Sequence, residues 1–337
     1  DYITAIGYRA LYTNTTGATN TALGYEALYA NTTGETNVAV GANALDANTT
    51  GNQHTAVGYN SLTSTTTTDN NTGIGYQALE DTTTGGFNTA IGARCLRENT
   101  TGANNTSVGN DALKNNTTAS NNTAVGHEAL LANTTGQYNT AVGYKAGEGL
   151  TSGWGNICIG REAGDGMTQA AKNIIIGYLC ESSGYNSDAC IVMGHSAIGV
   201  GDDNFTFGNG GTDSNIAFGA TSITAPSDAR LKENVEDEKI GLSFINELRP
   251  VTYQWKKEKD IPSEMNGYVA NSDKRVMNGK YNHGFIAQEV KAVIDKYDIK
   301  EGSSLWTEEV NGANRQRVGE SELIPFLVKA IQELSTK

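Results

Sequence analysis

Basic side chains are scarce in this sequence. Its 337 residues carry 24 Lys and Arg against 37 Asp and Glu, a net charge of −13. Residues 1–226 hold 7 basic and 18 acidic side chains, which leaves 17 and 19 for residues 227–337. Phosphate contact needs clustered Lys and Arg, so the composition argues against nucleic acid and leaves a carbohydrate or protein surface open. Four cysteines and four histidines, with no Cys-x-x-Cys spacing, do not make a zinc cage, and no cofactor or metal is expected. No apolar run approaches the ~20 residues that a spanning helix needs, so no membrane partner is expected. A signal-peptide pattern is also missing. The chain opens in mid-repeat at Ile3-Thr-Ala-Ile-Gly7, and we expect it to be a piece of a longer protein. Carboxylates such as Glu26, Glu35, Asp46, Glu80 and Asp81 are scattered over different repeat positions, unlike the facing pair of a glycoside hydrolase.

What the sequence does have is a period. Twelve glycines, Gly7, Gly24, Gly41 and onward to Gly194, stand seventeen residues apart without a slip. A strict period of this length is the mark of a solenoid. The residue before each glycine is large and apolar, from Ile6, Leu23 and Val40 to Ile176 and Met193. The residue three after it is small, as at Ala10, Ala27, Ser61 and Cys95. Asn stands four before it in nine of the twelve repeats, interrupted by Ile3, His54 and Cys190, which predicts a ladder of stacked amides.

Asn-Thr-Ala-Ile-Gly alternates in period two and reads as a short strand. Asn-Thr-Thr-Gly, as at residues 14–17, reads as a turn whose Asn and Gly accept left-handed backbone. Seventeen residues do not comfortably hold a helix, so we expect a parallel β-solenoid coil of two short strands and two turns. At ~4.8 Å per coil, twelve coils make a rod on the order of 55 Å long. The recurring turn also accounts for the Asn-x-Thr triplets that match glycosylation acceptors. The rank Thr21, Thr55, Thr89, Thr123 and Thr140 is single and broken by Val38, Ile157, Ile174 and Ile191, which speaks against an ice-binding face.

Two cysteines, Cys95 and Cys180, occupy the small position, and Cys158 and Cys190 precede their glycines. Cys95 and Cys180 lie five coils apart, beyond disulfide reach, so the thiols read as small buried packing groups. So thin a coil buries little of its own. The Ile/Val/Leu column goes either to a cramped private core or to a core shared between copies, and a homo-oligomer is the easier answer.

Motifs such as Asn88-Thr-Ala-Ile-Gly92 and Asn139-Thr-Ala-Val-Gly143 resemble the head repeats of trimeric autotransporter adhesins, over roughly residues 1–200. That resemblance implies a parallel β-roll that trimerises.

After Gly194 the period fails. The glycines fall at Gly208 and Gly219, preceded by Phe207 and Phe218, as if the rod narrows or is capped. The first proline, Pro226, opens a conventional charged sequence. The expected division is a shaft over 1–200, a capping or neck segment over 201–226 and a C-terminal α+β domain over 227–337.

Ser227-Asp-Ala-Arg-Leu-Lys232 resembles the opening of the endosialidase-type intramolecular chaperone domain found on phage tail fibres and tailspikes. Leu248-Arg-Pro-Val-Thr-Tyr-Gln-Trp255, Gly284-Phe-Ile-Ala-Gln-Glu-Val290 and the stretch Glu322 to Leu334 are similar to it in order and spacing. The resemblance implies a trimeric chaperone that folds the fibre and then cuts the chain between Pro226 and Ser227. Ser227 would be the nucleophile and Lys232 its partner in a serine–lysine dyad, with no external substrate. It also implies a virion protein, assembled in the host cytoplasm, with a host-surface glycan or protein as possible target. The alternative is a fragment of a bacterial trimeric surface adhesin whose C-terminal clamp is not cleaved.

On the residues alone, Ser227 followed by acidic Asp228 is also a good helix N-cap. Lys239 to Leu248 predicts a helix stopped by Pro250, and Val251 to Trp255 a strand. Residues 256–282 read as an insertion or long hairpin, and a helix bearing Val290, Val293 and Ile294 follows Gly284. His283 reads as an incidental polar residue. Ile324, Leu327, Ile331 and Leu334 form an a/d seam on the last helix, too short to hold an oligomer alone.

Overall fold

The computed structural model describes residues 2–211, 213–220, 229, 232–263, 268–277, 279–297, 299, 303–308 and 316–336. It divides into two compact units, Asp1–Leu231 and Lys232–Lys337. The first is a parallel β-solenoid. Its fourteen strands form one sheet in sequence order, beginning with β1 (Thr4–Ile6) and β2 (Thr21–Leu23) and advancing by seventeen residues per strand to β12 (Ile191–His195).

Each coil contributes one strand, not the two expected. The rest of the coil is turns, because left-handed residues recur too often for a second strand to form. In the first coils they fall at Arg9, Leu11, Thr19, Glu26, Leu28 and Thr36, with φ between 51° and 59°. The asparagines of Asn-Thr-Thr-Gly are not among them. Asn31 and Asn48 are buried, and each Nδ2 donates both to the amide oxygen one coil below and to the glycine carbonyl closing its own turn. This is a second amide ladder, where the sequence had suggested only a tolerant turn.

The expected ladder is present too. The backbone N–H of Asn88, Asn105, Asn122 and Asn139 each donates to the Oδ1 of the asparagine one coil below, at 2.9–3.0 Å. Each Nδ2 donates to a turn carbonyl fourteen residues ahead, as from Asn105 to Ala119 at 2.9 Å. A net ~0.5–1.5 kcal/mol per bond accumulates along the ladder, while a buried amide left unpaired costs ~1–3 kcal/mol.

Each coil has a private core of three side chains: the middle strand residue (Ala22, Ala39, Ala56), the small residue (Ala27, Ala44) and a leucine (Leu28, Leu45). The leucines have φ near 50°, which costs roughly 1–2 kcal/mol each. Complete burial of a leucine returns ~1.5–3 kcal/mol, so the strained position is kept. At Gly147 and Gly164 the leucine is lost. Leu150 and Met167 enter from the position of the turn asparagine and pack where the missing side chains would lie. The middle strand position grows in step, from Ala141 to Cys158 and Ile175. All four cysteines are free and buried among these groups, and burial pushes the Cys158 thiol up to about 12.

The glycine column is fixed by close approach. At Gly92, φ is 137° and an added Cβ would lie 2.5 Å from the Gly109 carbonyl oxygen. The last parallel step is short: in β13 (Asn204–Gly208), Gly208 pairs with Gly194. Gly219 does not begin another coil. The chain reverses, and β14 (Ser214–Ala217) pairs antiparallel with β13.

Among its described residues the second unit has three α-helices, α1 (Leu242–Glu247), α2 (Ala287–Ile294) and α3 (Leu323–Ser335). Its strands pair as two antiparallel sheets, β15 (Val251–Tyr253) with β16 (Asn282–Gly284), and β17 (Trp306–Glu308) with β18 (Gln316–Val318). The expected long hairpin spans β15 and β16. Helix α1 starts three residues later than expected, since Lys239 and Ile240 are outside it. Phe244, Val293, Leu305, Leu323 and Phe326 form the core.

Candidate functional site

Two features qualify: the start of the C-terminal unit and an exposed apolar stripe on each unit. Pro226 and Ser227, the expected cleavage pair, lie outside the described residues, as does Arg230. Lys232 is described and exposed, in a segment that carries no helix from Lys232 to Ile240. A helix capped by Ser227 therefore does not continue into those residues.

Close to the β15–β16 pairing is a cavity of about 360 Å³ lined by Pro250, Val251, Thr252, His283, Gly284, Phe285 and Glu320. Thr252 Oγ1 and His283 Nδ1 are 3.3 Å apart. His283 thus lines this cavity and is hydrogen-bonded to Thr252, a placement that no periodicity in the sequence signals.

The stripe on the shaft follows from strand alternation. With the middle residue of each strand turned inward, its neighbours face out. None of the column from Ile6 to Met193 enters the shaft's core. Ile6, Leu23, Ile91, Val142, Ile159 and Met193 are 38–60% exposed. Of the two destinations open to this column, the private core is therefore ruled out for a single chain. Two residues beyond it runs a rank of exposed tyrosines, stacked where successive coils both carry one: Tyr8 on Tyr25 at 5.3 Å and Tyr59 on Tyr76 at 5.7 Å. So long an apolar band on one chain marks an interaction surface.

Helix α3 repeats the theme. Leu323, Phe326 and Ala330 face the core, while Ile324, Leu327, Ile331 and Leu334, the a/d seam, are 42–63% exposed, with Val328 beside them. Both units thus present an apolar face along an extended element, an arrangement compatible with a trimer.

Residues 227–299 match the family model described as chaperone of endosialidase. The match begins at Ser227 and stops before α3, so the resemblance of the last stretch, Glu322 to Leu334, rests on its sequence alone. No curated protein matches the chain, and no solved structure does. The chain thus joins a β-solenoid shaft to a C-terminal segment of the endosialidase-chaperone type, which points to a folding and trimerisation module.

Proposed function

We propose that this chain is the shaft of a phage tail fibre or tailspike, with a C-terminal chaperone that trimerises it and then severs itself before Ser227. The observation that carries the reading is the unbroken apolar column from Ile6 to Met193, no member of which enters the shaft's core, joined in one chain to the chaperone match. Near-identical coils bury the same stripe whether in register or slipped by one repeat. A module that brings three chains together at one end sets the register and raises their effective concentration. Once formed, the long interface holds kinetically, and the module becomes dispensable.

In this reading Ser227 Oγ attacks the Pro226 carbonyl carbon, passing its proton to the Lys232 amine. The C–N bond breaks, the proton goes to the departing Ser227 nitrogen, and water hydrolyses the resulting ester to free the Pro226 carboxylate. Such a dyad needs a neutral lysine amine. Lys232 is exposed in the single chain, so the dyad would be completed only on assembly, making cleavage a timer on folding. The product would be a virion component assembled in the host cytoplasm, directed at a host-surface glycan or protein.

The test is the intact mass of fresh protein beside Ser227→Ala and Lys232→Ala. Fragments 1–226 and 227–337 are expected only with both side chains present. An uncut wild type that is nonetheless a folded trimer would overturn the cleavage and favour a permanent clamp, as in a bacterial surface adhesin.

A further inference from the structure

The first amide ladder carries one imidazole, His54, with Asn37 below it and Asn71 above. His54 is fully buried. Its backbone N–H donates to Asn37 Oδ1 at 2.9 Å, its Nδ1 accepts the Asn71 backbone N–H at 3.2 Å, and its Nε2 lies 2.6 Å from the Thr68 carbonyl oxygen. A backbone N–H only donates and a carbonyl only accepts, so the ring is held neutral with its proton on Nε2. An asparagine here has no second protonation state, but a histidine does. Imidazolium would set N–H against N–H at Asn71, and turning the ring over leaves the same conflict, since both nitrogens then donate.

The neighbouring coils offer little reinforcement. The second ladder stops at Asn48, whose Oδ1 is buried without a partner, because Thr65 stands where the next amide would donate. The core is also at its lightest, with Gly73 at the middle strand position and Ser61 at the small one, its Oγ donating to the Gly73 carbonyl at 2.8 Å. We propose that residues 48–73 are an acid-labile joint in the shaft, where protonation of His54 breaks the ladder and opens the coil locally.

Burial holds the His54 imidazole below its ordinary 6.5. The stability it supports is therefore complete above 6.5 and lost as pH falls through the folded value. Asp69, the charged group acting on the ring, opposes this, but its Oδ1 already accepts the Asn52 backbone N–H at 2.7 Å and side-chain amide at 3.1 Å. Glu35, one coil below, is exposed. Asp46, raised to about 6 by burial, also takes up a proton on acidification and favours the folded coil, so it works against His54.

The test is amide hydrogen exchange on the full chain at about pH 7.5 and about pH 5, corrected for intrinsic rates, for wild type and His54→Asn. Asn is the ladder's own residue, so the variant keeps the coil. The expected result is an at least several-fold loss of protection at 48–73 on acidification in the wild type, absent in the variant, with 105–156 unchanged in both. Equal loss in both proteins, or none in the wild type, would overturn the joint.

Discussion

In the shaft, the fully buried side chains are mostly alanines, about one leucine per coil and two ranks of asparagine. The C-terminal unit instead packs Phe244 against Tyr297 and Phe326 at 5.3 and 5.2 Å, with Leu305 and Leu323 around them. The shaft's order is thus spread over identical hydrogen-bonded steps, each depending on its neighbours, as in other quasi-one-dimensional proteins. The C-terminal unit concentrates its order in one small core. Yet both leave large apolar residues outside. Each unit thus has a core and an uncovered apolar face, and in the proposed reading the C-terminal unit assembles first.

The comparison is broken most severely at α3. Leu327→Glu with Ile331→Glu places charge on its exposed seam without touching Leu323 or Phe326, so the helix should form while assembly is lost. Sedimentation should report monomers, whereas a single Ile91→Glu in the shaft stripe should weaken the oligomer only partly.

Glycine separates the units next. Gly92→Ala would drive a Cβ into the Gly109 carbonyl, while an added Cβ at Gly279 meets nothing within 4 Å. The first should cost the shaft more than about 3 kcal/mol and open coils around 92, and the second should be within about 0.5 kcal/mol of wild type. Denaturant unfolding read by hydrogen exchange measures both.

Smaller is Asn105→Ala. It removes Oδ1 from the Asn122 N–H and takes one of two donors from the Ala119 carbonyl, which keeps Asn116 Nδ2, a loss of about 1–2 kcal/mol confined to adjoining coils.

The mildest case is a pH effect. Glu181 stands where earlier coils bury leucine, and its carboxyl is raised to about 8 by burial and by hydrogen bonding and repulsion from Asp165. A raised acid stabilises fully below its ordinary 4.5, and that contribution is lost as pH rises through about 8. Thermal melts should show wild type losing ground to Glu181→Gln from about 4.5 to about 8, with no further divergence above.

The sequence carried the shaft's translational order because every coil repeats it: the period, the strand, the first amide ladder and the buried thiols can all be reasoned from spacing, whereas spacing leaves the Ile/Val column a choice between a private and a shared core. It did not carry the path of each turn. Arg9, Leu11 and Thr19 adopt left-handed backbone without being glycine or asparagine, so residue type misled on the number of strands. The leucine column from Leu11 to Leu130 was present in the spacing, and its replacement by Leu150 and Met167 shows only once volumes are packed in three dimensions. At the proposed cleavage site, Lys232 is described but Ser227 lies outside the described residues, so the proposed dyad comes from the sequence motif. His283 gained its Thr252 contact from a pairing between strands about thirty residues apart, which local pattern does not encode.

In the proposed reading, the C-terminal unit drives assembly of the shaft. The most direct test of this is to compare the oligomeric state, by light scattering, of residues 1–226 produced alone with the same residues produced within the full chain. Trimeric, thermally resistant shaft only from the full chain is the expected result. An equally trimeric shaft from residues 1–226 alone would contradict the claim.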